Sequence, residues 1–113
     1  MRSKIVALSK SEEFKVLLKK KKISNNYVTI FYGRLNNKNI RKLNISFVTK
    51  KKIGNAVQRN KIKRRLRNIM NDAVKNISIK FDFSYLVICK ASVLHSNYTN
   101  IKETLFQEFK RIK

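Results

Sequence analysis

Residues 50–67 read Lys-Lys-Lys-Ile-Gly-Asn-Ala-Val-Gln-Arg-Asn-Lys-Ile-Lys-Arg-Arg-Leu-Arg. The types and spacing suit one kind of chemistry, the holding of phosphate. A basic loop leads into the N-terminus of a basic helix, where free backbone N–H groups favour anions. Guanidinium groups grip two phosphate oxygens in a fork, which an ammonium does not. Asn60, set among these cations, has the reach and the amide chemistry for a base edge or a sugar hydroxyl. The competing interpretation is a solvated, charged helix face. The pattern predicts nucleic acid without choosing its class.

Other chemistries find little support. Cutting a phosphodiester with metal ions wants clustered carboxylates. Here Glu12 and Glu13 sit at a helix start, and Asp72, Asp82, Glu103 and Glu108 are scattered. The single His95 falls in a loop without a partner for a metal site or a triad. Cys89, the one cysteine, reads as a small buried hydrophobe in a strand and fits a reducing cytoplasm.

The elements that must position these residues follow from periodicity. Residues 9 to about 20 read as a helix, with Ser9 and Glu12 as a capping box and Phe14, Leu17 and Leu18 as its apolar stripe. The lysine run 19–22 ends it. Residues 27 to about 35 read as a strand, with Gly33 marking a bulge or bend. Residues 36–39 form a turn, and a second strand runs from about Lys42 to Val48. Asn55 after Gly54 caps a long helix reaching about Lys75. Gly54 permits the sharp turn into it. Ile62, Leu66, Ile69, Ala73 and Ile77 share one arc of that helix, and Asn60, Lys63, Arg64, Arg67 and Asn71 share another. Residues 83–90 read as a buried strand. Ser96 or Asn97 caps a last helix to about Arg111. The order α-β-β-α-β-α, with room for one more short strand, is an α+β layer architecture.

Composition bounds the rest. The 113 residues carry 28 Lys+Arg against 6 Asp+Glu, a net charge of +22. One domain, 1–113, is expected, burying roughly two-thirds of the surface of its unfolded chain. Such charge strains a compact state unless a polyanion answers it. The longest strong apolar run, Tyr85-Leu86-Val87-Ile88-Cys89, is far short of the about 20 residues of a membrane span. No signal peptide is expected, because residues 5–8 are too short for its apolar region. A membrane surface is disfavoured, because the basic helix face mixes in Asn60, Asn68 and Asn71.

The stretch resembles the "RNR" signature of the protein subunit of bacterial ribonuclease P, after a Lys-Lys-Ile-Gly-Asn-Ala-Val lead. The likeness covers nearly the whole chain. Residues 8–14 resemble the family's first helix, 43–47 the strand before the signature, 85–90 its last strand and 98–110 its final helix. The resemblance implies a single-domain α-β-β-β-α-β-α sandwich of two layers, like some ribosomal proteins, with a left-handed βαβ crossover around the signature helix. It implies that a catalytic RNA, using Mg²⁺ that the RNA binds, removes the 5′ leader of precursor tRNA in the cytoplasm. The protein would bind that RNA and the leader, with no cofactor on its side chains, no membrane and no small-molecule substrate.

Carried over residue by residue, the resemblance implies catalytic-RNA contacts at Lys51, Lys52, Arg59, Asn60, Lys61, Lys63, Arg64 and Arg67. It implies a leader cleft of Phe14, Leu18 and Tyr32, with Lys63 and Arg67 facing it. Lys61 stands where the family usually has arginine and keeps charge without the fork. Leu18 stands where an aromatic is common and offers no π face. Ala7 stands where a basic residue is common. Phe14 and Tyr32 would otherwise pack on the sheet. The alternative function is a general RNA-binding or ribosomal-type protein with no processing role. A protein-only nuclease is a third reading, opposed by the scattered acids.

Overall fold

Asn55 organises the longest element. Its side chain accepts the Gln58 N–H at 2.9 Å, and the Gln58 side chain accepts the Asn55 N–H at 3.0 Å. This reciprocal cap launches a helix that runs Ala56–Asn76. The structure, a computed structural model, describes residues 5–8, 11–35 and 41–112. In chain order the elements are β1 (Ile5–Val6), α1 (Ser11–Leu17), β2 (Lys21–Ser24), β3 (Val28–Gly33) and β4 (Leu43–Thr49). A 3-10 turn (Lys51–Ile53) follows, then α2 (Ala56–Asn76), β5 (Ser84–Cys89), α3 (Ser92–His95) and α4 (Tyr98–Arg111).

The five strands form one sheet in the order β1-β4-β5-β3-β2. β4 and β5 are parallel neighbours joined through α2, whereas β3 pairs antiparallel with both β5 and β2. Alternation along the strands splits the sheet into two faces. On one face, Val28, Ile30, Leu43, Ile45, Tyr85 and Val87 are buried against Ile62, Leu66 and Ile69 of α2 and Ile101, Leu105 and Phe109 of α4. Each such fully buried aliphatic side chain contributes about 1.5–3 kcal/mol. The Tyr85 ring meets Phe109 edge-on at 5.2 Å, and its hydroxyl donates to the Lys80 carbonyl at 2.8 Å. On the other face, Leu8, Leu17 and Leu86 form a smaller cluster with Phe14, Phe31, Leu35 and Ile88. The expected α+β order is present, with α2 and α4 layered on the sheet. The two-residue β1 and the one-turn α3 are additions, and α1 covers part of the second face.

Three local expectations need correction. α1 ends at Leu17, so Leu18 is exposed and the lysine run does not continue the helix; Lys21 and Lys22 open β2 instead. Gly33 marks no bulge, because β3 pairs with β5 without interruption from Val28↔Cys89 to Gly33↔Ser84. The Lys20 stem lies over it, with methylenes that an added Cβ would meet at 2.9 Å and push aside. Gly54 likewise serves the cap: an added Cβ would sit 2.2 Å from the Gln58 side-chain oxygen. The backbone at Gly54 is extended rather than left-handed. Of the two proposed caps for the last helix, Asn97 does the work, accepting from the N–H groups of Thr99 and Asn100. Ser9 and the turn 36–39 lie outside the described residues.

Candidate nucleic-acid interface

The inner face of α2 is anchored by Ile62, Leu66, Ile69, Met70 and Ala73, which fixes what its outer face presents. Val57, Asn60, Lys63, Arg64 and Arg67 line one shallow surface there. Their spacing of three and four residues stacks them along one side of the helix. Val57 is 76% exposed amid these polar neighbours. In the sequence it is only the last residue of the Lys-Lys-Ile-Gly-Asn-Ala-Val lead, with no role assigned. Its signal was an angle on the helix more than a quarter-turn from the core arc.

Lys63 and Arg67 belong to a second surface as well. With Phe14 of α1, Ile5 of β1, Ala7 just after it, and residues 45–48 of β4, they line a groove of about 410 Å³. Its floor is a sheet edge. β1 pairs with β4 only at Leu43 and Asn44. The chain then leaves the ladder, and Leu8 N–H donates to the Ser46 hydroxyl at 2.8 Å. The outer edge of β4 beyond Asn44 therefore has no strand partner among the described residues. One wall carries cations and the other an aromatic ring. Such a channel suits an unpaired strand, whose backbone meets the cations while a base stacks on the ring.

The remaining predicted residues divide. Lys51 and Lys52 are exposed on the 3-10 turn just before the cap, adjoining the stripe in sequence. Lys61 is exposed but lies outside the stripe. Arg59 is half-buried and turns its Nε toward the Asn55 carbonyl at 3.5 Å. The cap consumes the Gln58 N–H, so fewer helix-start donors remain for an anion than the sequence suggested. Leu18 is exposed and does not line the groove.

Tyr32 sits apart from Phe14. It alternates with Val28 and Ile30 on the α2–α4 face, whereas Phe14 packs on the opposite face. Its ring lies 5.9 Å from Phe83, which Arg34 and Lys80 approach at 5.8 and 5.3 Å. Arg34 in turn pairs with Asp82 at 3.0 Å.

Arg65, which the basic stretch did not distinguish from its neighbours, points elsewhere. Its Nη1 donates to the carbonyls of Val93, Leu94 and Ser96 at 2.7, 3.5 and 3.3 Å. It closes the end of α3 instead of joining the stripe. Cys89 is buried, and burial pushes its thiol up to about 12, opposed in part by the nearby Lys63 charge. His95 is exposed at the end of α3. Among the described residues no three His, Cys, Asp or Glu side chains gather, and no helix is long and apolar enough to cross a membrane.

Sheet, capped basic helix and cation-lined groove together define an α+β protein with the surface of a single-domain nucleic-acid binder. Comparison with known proteins narrows the class. The ribonuclease P family profile matches residues 3–113, and the chain belongs to that family. It is 34% identical over 106 residues to the ribonuclease P protein component of Mycoplasma mycoides, covering 94% of each chain. It is 31% identical over 104 residues to that of Bacillus cereus strain B4264, covering 92% of this chain and 88% of the relative. The fold superposes on the RNase P protein of Thermotoga maritima with a TM-score of 0.79 at 23% identity, covering 96% of this chain and 98% of that one. For the Staphylococcus aureus protein the score is 0.75 at 22% identity, covering 94% and 93%. The family's role, an RNA-binding subunit that aids tRNA 5′ maturation, fits the basic helix and the groove.

Proposed function

We propose that the chain holds the catalytic RNA of ribonuclease P along α2 and the 5′ leader of precursor tRNA in the groove beside it. The RNA performs the hydrolysis with Mg²⁺ ions that it binds itself, in the cytoplasm. The protein contributes positioning. Asn60, Arg64 and the outward side of Lys63 and Arg67 contact the RNA, with Lys51, Lys52, Arg59 and Lys61 extending the basic surface. Phe14 offers a ring to a leader base. Stacking of this kind accepts any base, which suits a subunit serving many different leaders. Leu18 and Tyr32 take no part in that cleft.

The observation that carries this reading is the double membership of Lys63 and Arg67 in the α2 stripe and in the Phe14 groove. Two RNA segments brought to these surfaces meet at the same pair of cations. The test compares affinity for precursor tRNA with and without its leader, in the presence of the catalytic RNA. Tighter binding of the leader-bearing form is expected. Equal affinity favours a general RNA-binding role instead.

A further inference from the structure

The lysine run 19–22 belongs to neither the α2 stripe nor the groove. α1 stops at Leu17, and the backbone turns through Leu18–Lys20 with N–H bonds back to Phe14, Val16 and Leu17. Lys21 then begins β2, the outermost strand on the side of the sheet away from β1. From β4 to β2 there are three strand spacings, roughly 14 Å at about 4.8 Å each.

Four lysines converge at this corner. Lys15, Lys19 and Lys20 surround Val16, which is 43% exposed. Lys22 stands opposite Phe31 in the ladder and so shares the α1 face of the sheet. The stem of Lys20 lies over Gly33, where a Cβ would displace it. All four are exposed. Arg34 pairs with Asp82, Lys102 with Asp72 and Arg111 with Glu108, none of them a lysine of this corner. Glu12 and Glu13 border the corner where Lys20 meets Arg34, leaving four lysines against two carboxylates.

Lysines on an edge strand commonly guard against pairing with another sheet. That accounts for Lys21 and Lys22 but not for Lys15 and Lys19, which lie on α1 and its closing turn. We propose that the α1–β2 corner is a second RNA-backbone surface, gripping phosphates of a segment other than the one on α2. Ammonium groups on flexible stems act as point charges, so this grip is independent of sequence. The inference rests on the reading that the chain binds RNA, and its test keeps the two separable.

The experiment measures binding to the catalytic RNA with precursor tRNA across a salt series. It compares the intact protein, K19Q/K22Q, R64A/R67A, and K80Q/K110Q, an equal charge loss at exposed lysines off α2 and off the corner. K19Q/K22Q should lower the log–log slope by about 1.4, at roughly 0.7 for each lost contact to a single strand. K80Q/K110Q should change it by less than a third as much. Equal changes in the two lysine pairs, or none in K19Q/K22Q while R64A/R67A lowers the slope, overturn the inference. So does self-association of K19Q/K22Q in sedimentation with an unaltered slope, which marks an edge guard. If even the intact protein binds without salt dependence, it is the reading of α2 that fails.

Discussion

Arg65 donates from Nη1 to the Val93 carbonyl at 2.7 Å, with Leu94 and Ser96 carbonyls also in reach. One arginine of the basic stretch thus ties α2 to the segment between β5 and α4. Its neighbour Arg64 remains exposed on the stripe. About 100° of helix turn separates adjacent residues, enough to send the two guanidiniums to different work.

Arg65→Ala should therefore cost stability, and Arg64→Ala should not. A hydrogen bond to a charged group is worth about 1.5–3 kcal/mol, and removing Arg65 leaves the carbonyls at the end of α3 without it. Urea unfolding checks this through the midpoint. Arg64→Ala should fall within about 0.5 kcal/mol of the parent, as surface changes do, while weakening RNA binding.

The buried Cys89 thiol gives a pH prediction. Burial raises it from an ordinary value near 9 to about 12. Below pH 9 both folded and unfolded chains keep the proton. Between about 9 and 12 the unfolded chain loses it first, so stability falls as pH rises, by at most about 1.4 kcal/mol per unit. Cys89→Ala should flatten the alkaline slope of unfolding free energy. Tyr85, also raised by burial, acts in the same direction in both proteins. Alkylation at pH 8 should be slower than for an unfolded control by a factor on the order of a thousand, since the thiolate is the nucleophile.

Leader binding separates the two aromatics. Phe14→Leu should reduce the affinity gained from a leader by roughly 1–3 kcal/mol, the worth of a stacked base. Tyr32→Leu should leave that gain unchanged, because Tyr32 lies on the other face of the sheet. The measurement is the ratio of affinities for leader-bearing and leaderless tRNA in each variant.

Local rules made much of this legible. Asn55 announces the start of α2, and the arc from Ile62 to Ala73 announces its buried side. The strand at Tyr85 follows from its continuous apolar run, and the helix after Asn97 from capping. The groove was less accessible, because it arises from long-range pairing. Its edge is open because β1 follows β4 for only two residues. The parity of β3 puts Tyr32 with Ile30, but which face α1 would cover is a tertiary choice. The run 19–22 reads as a helix end under charge rules, yet sheet pairing with β3 drew Lys21 and Lys22 into a strand. Arg65 looked like its neighbours until its carbonyl partners, 28 to 31 residues away, came into view.

In the proposed role the protein serves a catalytic RNA from the α2 face and its groove. The most direct measurement is precursor-tRNA cleavage by the catalytic RNA at low Mg²⁺ and moderate salt, with and without the protein. The intact protein should enhance cleavage markedly, and less so when Lys63 and Arg67 are both replaced by alanine. Cleavage by the RNA that is unchanged on adding the protein would contradict it.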